Sequence, residues 1–318
     1  EYRELPNSKV PLDQRPAETY PILSMDHISP LLRPSARIAP LSELLDRYDG
    51  LLCDIWGVLH NGDAAFSDAV DALCRARAFG RFVILITNAP RLSKDIYPQL
   101  ARLGVPPESF DSIITSGDVT AQLIAKQPDA PLFHFGPERD NSILEGLTNP
   151  IVDHSDAKLC LLTGPLDDTI ETTDIYHDLL EQMHENAVEM ICANPDLVVR
   201  SGNRMVICAG SIAQRYAHLG GKVSFAGKPE PAIYEEALRR AASLTGRDIP
   251  KSRLLAIGDG LATDIKGAAD NGFDAYFIVG GIHASEFDEL NAQEAVYRIK
   301  TKFLGLNLVG VSDRLSWS

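Results

Sequence analysis

Across 318 residues the chain carries 44 acidic and 30 basic side chains. The resulting formal charge of −14 argues against a nucleic-acid partner, which calls for clustered Lys and Arg. It leaves small anions open, because one lysine and a few backbone amides suffice to hold a phosphate.

The length suits a core plus a second domain. Residues 1 to about 38 are punctuated by Pro6, Pro11, Pro16, Pro21, Pro30 and Pro34 without sustained periodicity, and read as an N-terminal extension rather than a domain. A helix is expected from Leu41 to Tyr48. "GLLCDIW" follows as a short continuous apolar run, the pattern of a strand covered on both faces. Residues 67 to 79 place Val70, Leu73 and Cys74 at helical spacing, and Gly80 supplies the stop. "RFVILITNA" is the next buried strand, and "SIITSG" repeats the signal. Strand, helix, strand with short connections predicts a parallel sheet.

Residues 118–207 have their own rhythm. "PLFHFG", "AKLCLLTG" and "AVEMICAN" read as strands, and "DIYHDLLEQMHEN" as a helix presenting Ile175, Leu179 and Met183. The first grammar then returns. "VSFAG" is a strand, "IYEEALRRAASL" a helix, "RLLAIGDG" a strand ending in an acidic loop, "DIKGAADNG" a short helix and "DAYFIVGG" a strand. A last amphipathic helix covers about 285–302. The fold class is therefore α/β. A discontinuous core over 39–117 and 208–318 carries a second α/β domain, 118–207, inserted into it. Five scattered cysteines with no CxxC or Cys/His cluster predict neither a disulfide framework nor a zinc site. With no bilayer-length apolar stretch and no basic-then-apolar leader, the expectation is a cytoplasmic protein without a membrane partner.

In open α/β sheets ligands collect beyond the carboxyl ends of the strands. Four polar clusters fall at such ends: Asp54 after "GLLC", Thr87-Asn88 after "VILI", Lys228 after "VSFAG", and Asp259 with Asp264 after "LLAI". Taken singly, Asp264 reads as a helix cap, Thr87-Asn88 as a turn and Lys228 as a solvated lysine. Asp54 is harder to dismiss, since a carboxylate adjoining a buried run needs partners. Together on one rim they compose a site for Mg²⁺ and phosphate, because hard oxygen donors suit that ion.

At these residues the sequence resembles the haloacid dehalogenase (HAD) superfamily, whose four motifs stand in order as "DIWGVLHNG", "ITNAP", "GKP" and "GDGLATD". It is similar more narrowly to the NagD-like and 4-nitrophenylphosphatase-like branch (subclass IIA), with a large α/β cap between the second and third motifs. The resemblance covers roughly residues 45 to 285 and implies a Rossmann-like HAD core. It also implies roles. Asp54 would be the nucleophile that becomes an aspartyl-phosphate. Thr87 and the Asn88 amide would cradle the phosphate, and Lys228 would pair with both. Asp54, Asp259, Asp264 and the main-chain carbonyl of Trp56 would serve Mg²⁺. Caps of this kind can also mediate homodimerisation.

One position departs from the pattern. Family phosphatases carry an aspartate two residues past the nucleophile, which protonates the leaving oxygen and later activates water. Here that residue is Trp56. Positioned acid–base groups contribute about 10²- to 10⁴-fold, so the loss is serious without being fatal. Three readings follow: a phosphatase whose proton donor lies elsewhere, with His60 a candidate; a catalytically weak or inactive phosphometabolite-binding protein; or a metal-independent dehalogenase, whose family relatives also lack that aspartate. The cap loop "CANPD" makes Asn194 and Asp196 candidate substrate contacts. With no basic cluster evident in the cap, the expected substrate is a small sugar or organic-acid phosphate.

Overall fold

A computed structural model describes residues 40–168, 170–201, 204–287, 290 and 292–318. The extension expected over 1–38 lies outside these residues.

Continuous apolar runs become central strands because both of their faces are covered. The chain enters the sheet at β1 (Gly50–Asp54), then runs through α1 (Ser67–Ala78), β2 (Phe82–Thr87), α2 (Ser93–Leu103), β3 (Ser112–Thr115) and α3 (Ser116–Ile124). Along β1 and β2 the side chains alternate between two cores. Leu51, Cys53, Val83 and Leu85 join one, with Leu73 of α1. Leu52, Ile84 and Ile86 join the other. Each fully buried aliphatic side chain contributes roughly 1.5–3 kcal/mol. Leu41–Tyr48, expected as one helix, forms two consecutive 3₁₀ turns instead.

A second sheet follows. It is built from β4 (Leu132–Phe135), β5 (Leu159–Leu162), α4 (His177–Glu185) and β6 (Glu189–Cys192). An antiparallel hairpin of β7 (Val198–Ser201) and β8 (Arg204–Ile207) comes next, then α5 (Ala209–His218) and β9 (Val223–Phe225). Pairing runs β4-β5-β6-β9, all parallel. On α4 the buried residues are Leu180 and Met183, preceded by Tyr176, whereas Ile175 is exposed, so the apolar face is rotated from the expected one.

Return to the first sheet brings α6 (Pro231–Thr245), β10 (Leu254–Gly258), α7 (Lys266–Asn271), β11 (Asp274–Ile278), α8 (Ala284–Phe287), α9 (Ala292–Lys302) and β12 (Leu308–Ser312). The order is β12-β11-β10-β1-β2-β3, and every pair is parallel. The fold is thus α/β, a six-stranded Rossmann-like core with an inserted parallel sheet as its cap. The direction of winding reverses at β1, which lies between β10 and β2, and this opens a crevice at their carboxyl ends.

Two boundaries differ from expectation. "VSFAG" was assigned to the core, yet β9 pairs with β6, and α5 buries Ile212 and Tyr216 against the cap core beside Met190 and Cys192. The cap sheet therefore extends to 225 rather than ending at 207. At the other end α3 straddles the junction, with Val119 in the core and Ile124 under the cap. Edge strand β12 had no counterpart among the expected elements. Among the described residues no helix is long and apolar enough to cross a membrane.

Tyr216 is fully buried and its hydroxyl donates to the Val188 carbonyl at 2.6 Å. Truncation by Tyr216→Ala should cost about 3–5 kcal/mol in urea unfolding. Hydrogen exchange should quicken in β5, β6 and β9 while β1, β2 and β10 stay protected.

Candidate active site

Asp54 ends β1 at the switch point. The following segment folds back on itself, with Leu59 N–H donating to Ile55 O at 2.8 Å and Gly57 N–H to His60 O at 2.8 Å. Gly57 has φ 85°, and a Cβ there would lie 2.1 Å from Asp259 Oδ2, so only glycine lets this turn cross the acidic loop after β10.

Four chain segments converge here. Lys228 Nζ donates to Asp54 Oδ1 at 2.5 Å and to Asp264 Oδ1 at 2.7 Å. Asp264 sits in a π-helical turn, Leu261–Ile265, and its Oδ2 accepts from Gly260 N–H at 3.0 Å. It is therefore a partner of the lysine as well as a local brace, not a helix N-cap. Asp259 Oδ2 accepts from Ile282 N–H at 2.7 Å. Asp54, Lys228, Asp259 and Asp264 are each no more than 5% exposed.

Oxygens of Asp54, Asp259 and Asp264 all lie within 4.8 Å of one another. Three buried carboxylates against one ammonium leave an excess of negative charge. It adds to a larger effect of burial at Asp54 and Asp259. Burial, reinforced by Asp264, raises the Asp54 carboxyl well above the ordinary range despite Lys228. Burial likewise pushes Asp259 up to about 7. On Lys228 burial works to lower the ammonium, but Asp264 and Asp54 outweigh it and hold it above its usual value. Such a group of hard oxygen donors, short of positive charge, fits a divalent cation of the Mg²⁺ type.

Thr87 and Asn88 leave β2 beside this cluster, and both are buried. Asn88 Oδ1 accepts from Lys228 N–H at 2.7 Å, and its Nδ2 donates to Lys228 O at 3.1 Å and to Asp196 Oδ1 at 3.0 Å. Asp196 belongs to the cap, so this one amide joins the rim, the lysine and the cap loop. A cavity of about 440 Å³ lies between core and cap, with Trp56, His60, Thr87, Asn88, Asn194 and Asp196 on its wall.

The Trp56 indole is half-buried and meets the His60 ring edge-on, centroids 5.0 Å apart. His60 was a candidate proton donor. Instead burial holds its imidazole down to about 4, and Gly62 N–H donates to Nδ1 at 3.0 Å. It is a neutral ring bracing its turn at neutral pH, which removes it as an imidazolium donor.

Sequence reasoning did not single out Arg91, Arg139, Asp140, Thr163 and Asp168, all on the cavity wall. Arg139 pairs with Asp168 at 2.5 Å, and Arg91 donates to Gln99 Oε1 at 2.6 Å. Arg91 follows "TNAP" directly, and that adjacency is the signal that could have found it. Nothing in "PERD" marks Arg139 as facing a cavity.

Comparison with known proteins agrees with the family resemblance and the fold. Two family models match, one described as haloacid dehalogenase-like hydrolase over residues 51–148 and one as HAD-hydrolase-like over 225–301. A solved hydrolase of the haloacid dehalogenase-like family from Brucella suis 1330 is 42% identical, with TM-score 0.78 over 87% of this chain and 98% of that one. The 4-nitrophenylphosphatase of Thermotoga maritima shares the fold at 21% identity and TM-score 0.64, covering 86% and 96%. D-glycerol 3-phosphate phosphatase of Mycobacterium tuberculosis is 25% identical over 252 residues, 77% of this chain and 67% of that protein.

The His60 environment predicts a pH dependence of stability. An unfolded histidine titrates near 6.5 and buried His60 near 4. Between those values the unfolded chain holds a proton that the folded one excludes, so stability present above 6.5 is lost as pH falls toward 4. The contribution is of order 3 kcal/mol. His60→Asn, which keeps an acceptor for Gly62, should lose less stability than wild type between pH 7 and 4.5 in urea titrations.

Proposed function

The chain belongs to the haloacid dehalogenase-like hydrolases, and from that premise we propose that it is a Mg²⁺-dependent phosphatase acting on a small phosphorylated metabolite, a sugar or organic-acid phosphate. One observation carries this reading: Asp54, Lys228, Asp259 and Asp264 are gathered together, and Asn88, which holds the Lys228 backbone, borders a cavity together with Thr87.

Each residue then has a task. The Asp54 carboxylate attacks phosphorus and carries the phosphoryl group as an acyl phosphate until water releases it. The Thr87 hydroxyl and Asn88 amide hold the phosphoryl oxygens. Lys228 neutralises charge on Asp54 and on the transferring group, the kind of electrostatic stabilisation on which phosphoryl transfer chiefly depends. Asp54, Asp259 and Asp264, with the Trp56 carbonyl, are the residues that would hold the cation. When bound, it supplies further charge neutralisation at the phosphoryl oxygens. The cap closes the cavity and keeps bulk water out.

Trp56 also favours a second reading, in which the scaffold binds a phosphometabolite and barely turns it over. A metal-independent dehalogenase accounts less well for the Asp259–Asp264 pair. Phosphate-release assays over a phosphometabolite panel separate these outcomes. Wild type should release phosphate with Mg²⁺ and stop with EDTA, and Asp54→Asn should abolish release. Ligand-induced thermal stabilisation with no phosphate from any member of the panel would establish the binding protein instead. Halide release from a chloroacid without metal would establish the dehalogenase.

Cation binding has its own readout. Mg²⁺ at a hundred times its Kd should stabilise the fold by about 2.7 kcal/mol, several degrees in melting temperature. Asp259→Asn should remove most of that shift.

A further inference from the structure

Trp56 leaves the core without a carboxyl group on the leaving-group side, and we propose that the cap supplies one: Asp196 is the general acid and base of the reaction. The inference rests on the phosphatase reading above and deepens it.

Among the described residues, four carboxyl or imidazole side chains border the cavity, namely His60, Asp140, Asp168 and Asp196. His60 is a neutral ring whose Nδ1 is occupied by Gly62 N–H. Asp168 is paired with the Arg139 guanidinium. Asp140 is buried in the cap, flanked by Arg139 and Arg91 and hydrogen-bonded to Thr163. Asp196 differs from all three, because it is hydrogen-bonded to the phosphate cradle itself. Asn88 Nδ2 donates to its Oδ1, and the same Asn88 side chain grips both the N–H and the carbonyl of Lys228. Lys228 in turn reaches Asp54. One amide therefore separates the Asp196 carboxyl from the residues that hold the phosphoryl group.

The loop carrying Asp196 is rigidly placed. Its own N–H donates to Asn194 Oδ1 at 3.1 Å, Gly210 N–H donates to Asp196 O at 3.1 Å, and Cys208 N–H donates to Leu197 O at 2.9 Å. A Cβ at Gly227 would lie 2.8 Å from Pro195 Cδ and 2.3 Å from Asn88 Oδ1, so cap loop and cradle are packed against each other. Burial raises the Asp196 carboxyl above the ordinary range, with Lys228 and the Asn88 bond acting the other way. A carboxyl group so placed can hold a proton for a leaving alkoxide.

The chemistry balances in two steps. Asp54 bonds to phosphorus as the bond to the leaving oxygen breaks, and that oxygen takes the Asp196 proton. Asp196, now a carboxylate, takes a proton from water as the water oxygen bonds to phosphorus and the Asp54–phosphorus bond breaks. Orthophosphate departs and Asp196 is again protonated. Because the acid resides on the cap, proton transfer occurs only with the cap closed.

The test compares wild type and Asp196→Asn, with Mg²⁺, on glycerol 3-phosphate and on 4-nitrophenyl phosphate, whose leaving group needs no proton. Asparagine keeps an acceptor for Asn88, so the latch survives. The variant should lose about 10²- to 10⁴-fold on the alkyl phosphate. On the aryl phosphate it should release one equivalent of nitrophenolate in a burst, then turn over slowly with phosphate retained on the acid-quenched protein. Asp196→Glu should recover part of the alkyl rate that Asp196→Gln does not, and this pair serves if the Asn variant does not fold. Wild-type rates in Asp196→Asn, or equal losses on both substrates without a burst, would reduce Asp196 to a structural latch and leave the phosphatase reading intact. A wild type inert toward both substrates would overturn the two together.

Discussion

The ammonium of Lys228, wedged between Asp54 and Asp264, is the contact on which the rest of the molecule depends. Carboxylates this deeply buried are costly unless positive charge stands among them. The lysine meets that need by joining residues 174 and 36 positions away in the chain. It arrives immediately after the last strand of the cap, so the same contact that neutralises the rim also closes the inserted domain back onto the core. Asn88 reinforces it by gripping the lysine backbone at both its N–H and its carbonyl.

One lysine does not balance three carboxylates. Burial, reinforced by the remaining imbalance, keeps the pKa values of Asp54 and Asp259 above the ordinary carboxyl range. It is a local cost that a bound cation or phosphoryl group changes, and the arrangement illustrates how functional sites violate rules that the surrounding fold obeys. Two well-filled cores on either face of the six-stranded sheet provide the rigidity that holds the charges together.

The loop after β1 shows the same division between backbone and side chain. Its turn geometry depends on Gly57 passing over Asp259, whatever side chain stands at 56. Position 56 is therefore free to carry an indole that packs on His60 and borders the cavity. On the phosphatase reading proposed above, an indole at 56 moves the question of proton transfer away from this loop toward groups that the cap brings in. Asn88, touching both Lys228 and Asp196, is where core chemistry and cap position become one problem.

Much of this was legible before any coordinates. Apolar runs such as "GLLC" and "VILI" announce strands covered on both faces, and polar residues at their carboxyl ends announce a rim, because both signals are local. Strand partnership was not local. A three-residue strand such as Val223–Phe225 has no periodicity that assigns it to one sheet, and only its pairing with β6 placed it in the cap. The same is true of β12 and of the hairpin whose strands carry Val199 and Met205 to the cavity. His60 illustrates the limit for chemistry: its type suggested a proton donor, but its acidity belongs to its burial. The sequence by itself determined which residues could act and that they share an edge, since residue type and strand polarity are written along the chain. Tertiary structure alone decided which cap groups meet them, because burial, charge balance and the approach of Asp196 to Asn88 arise only from contacts between distant segments.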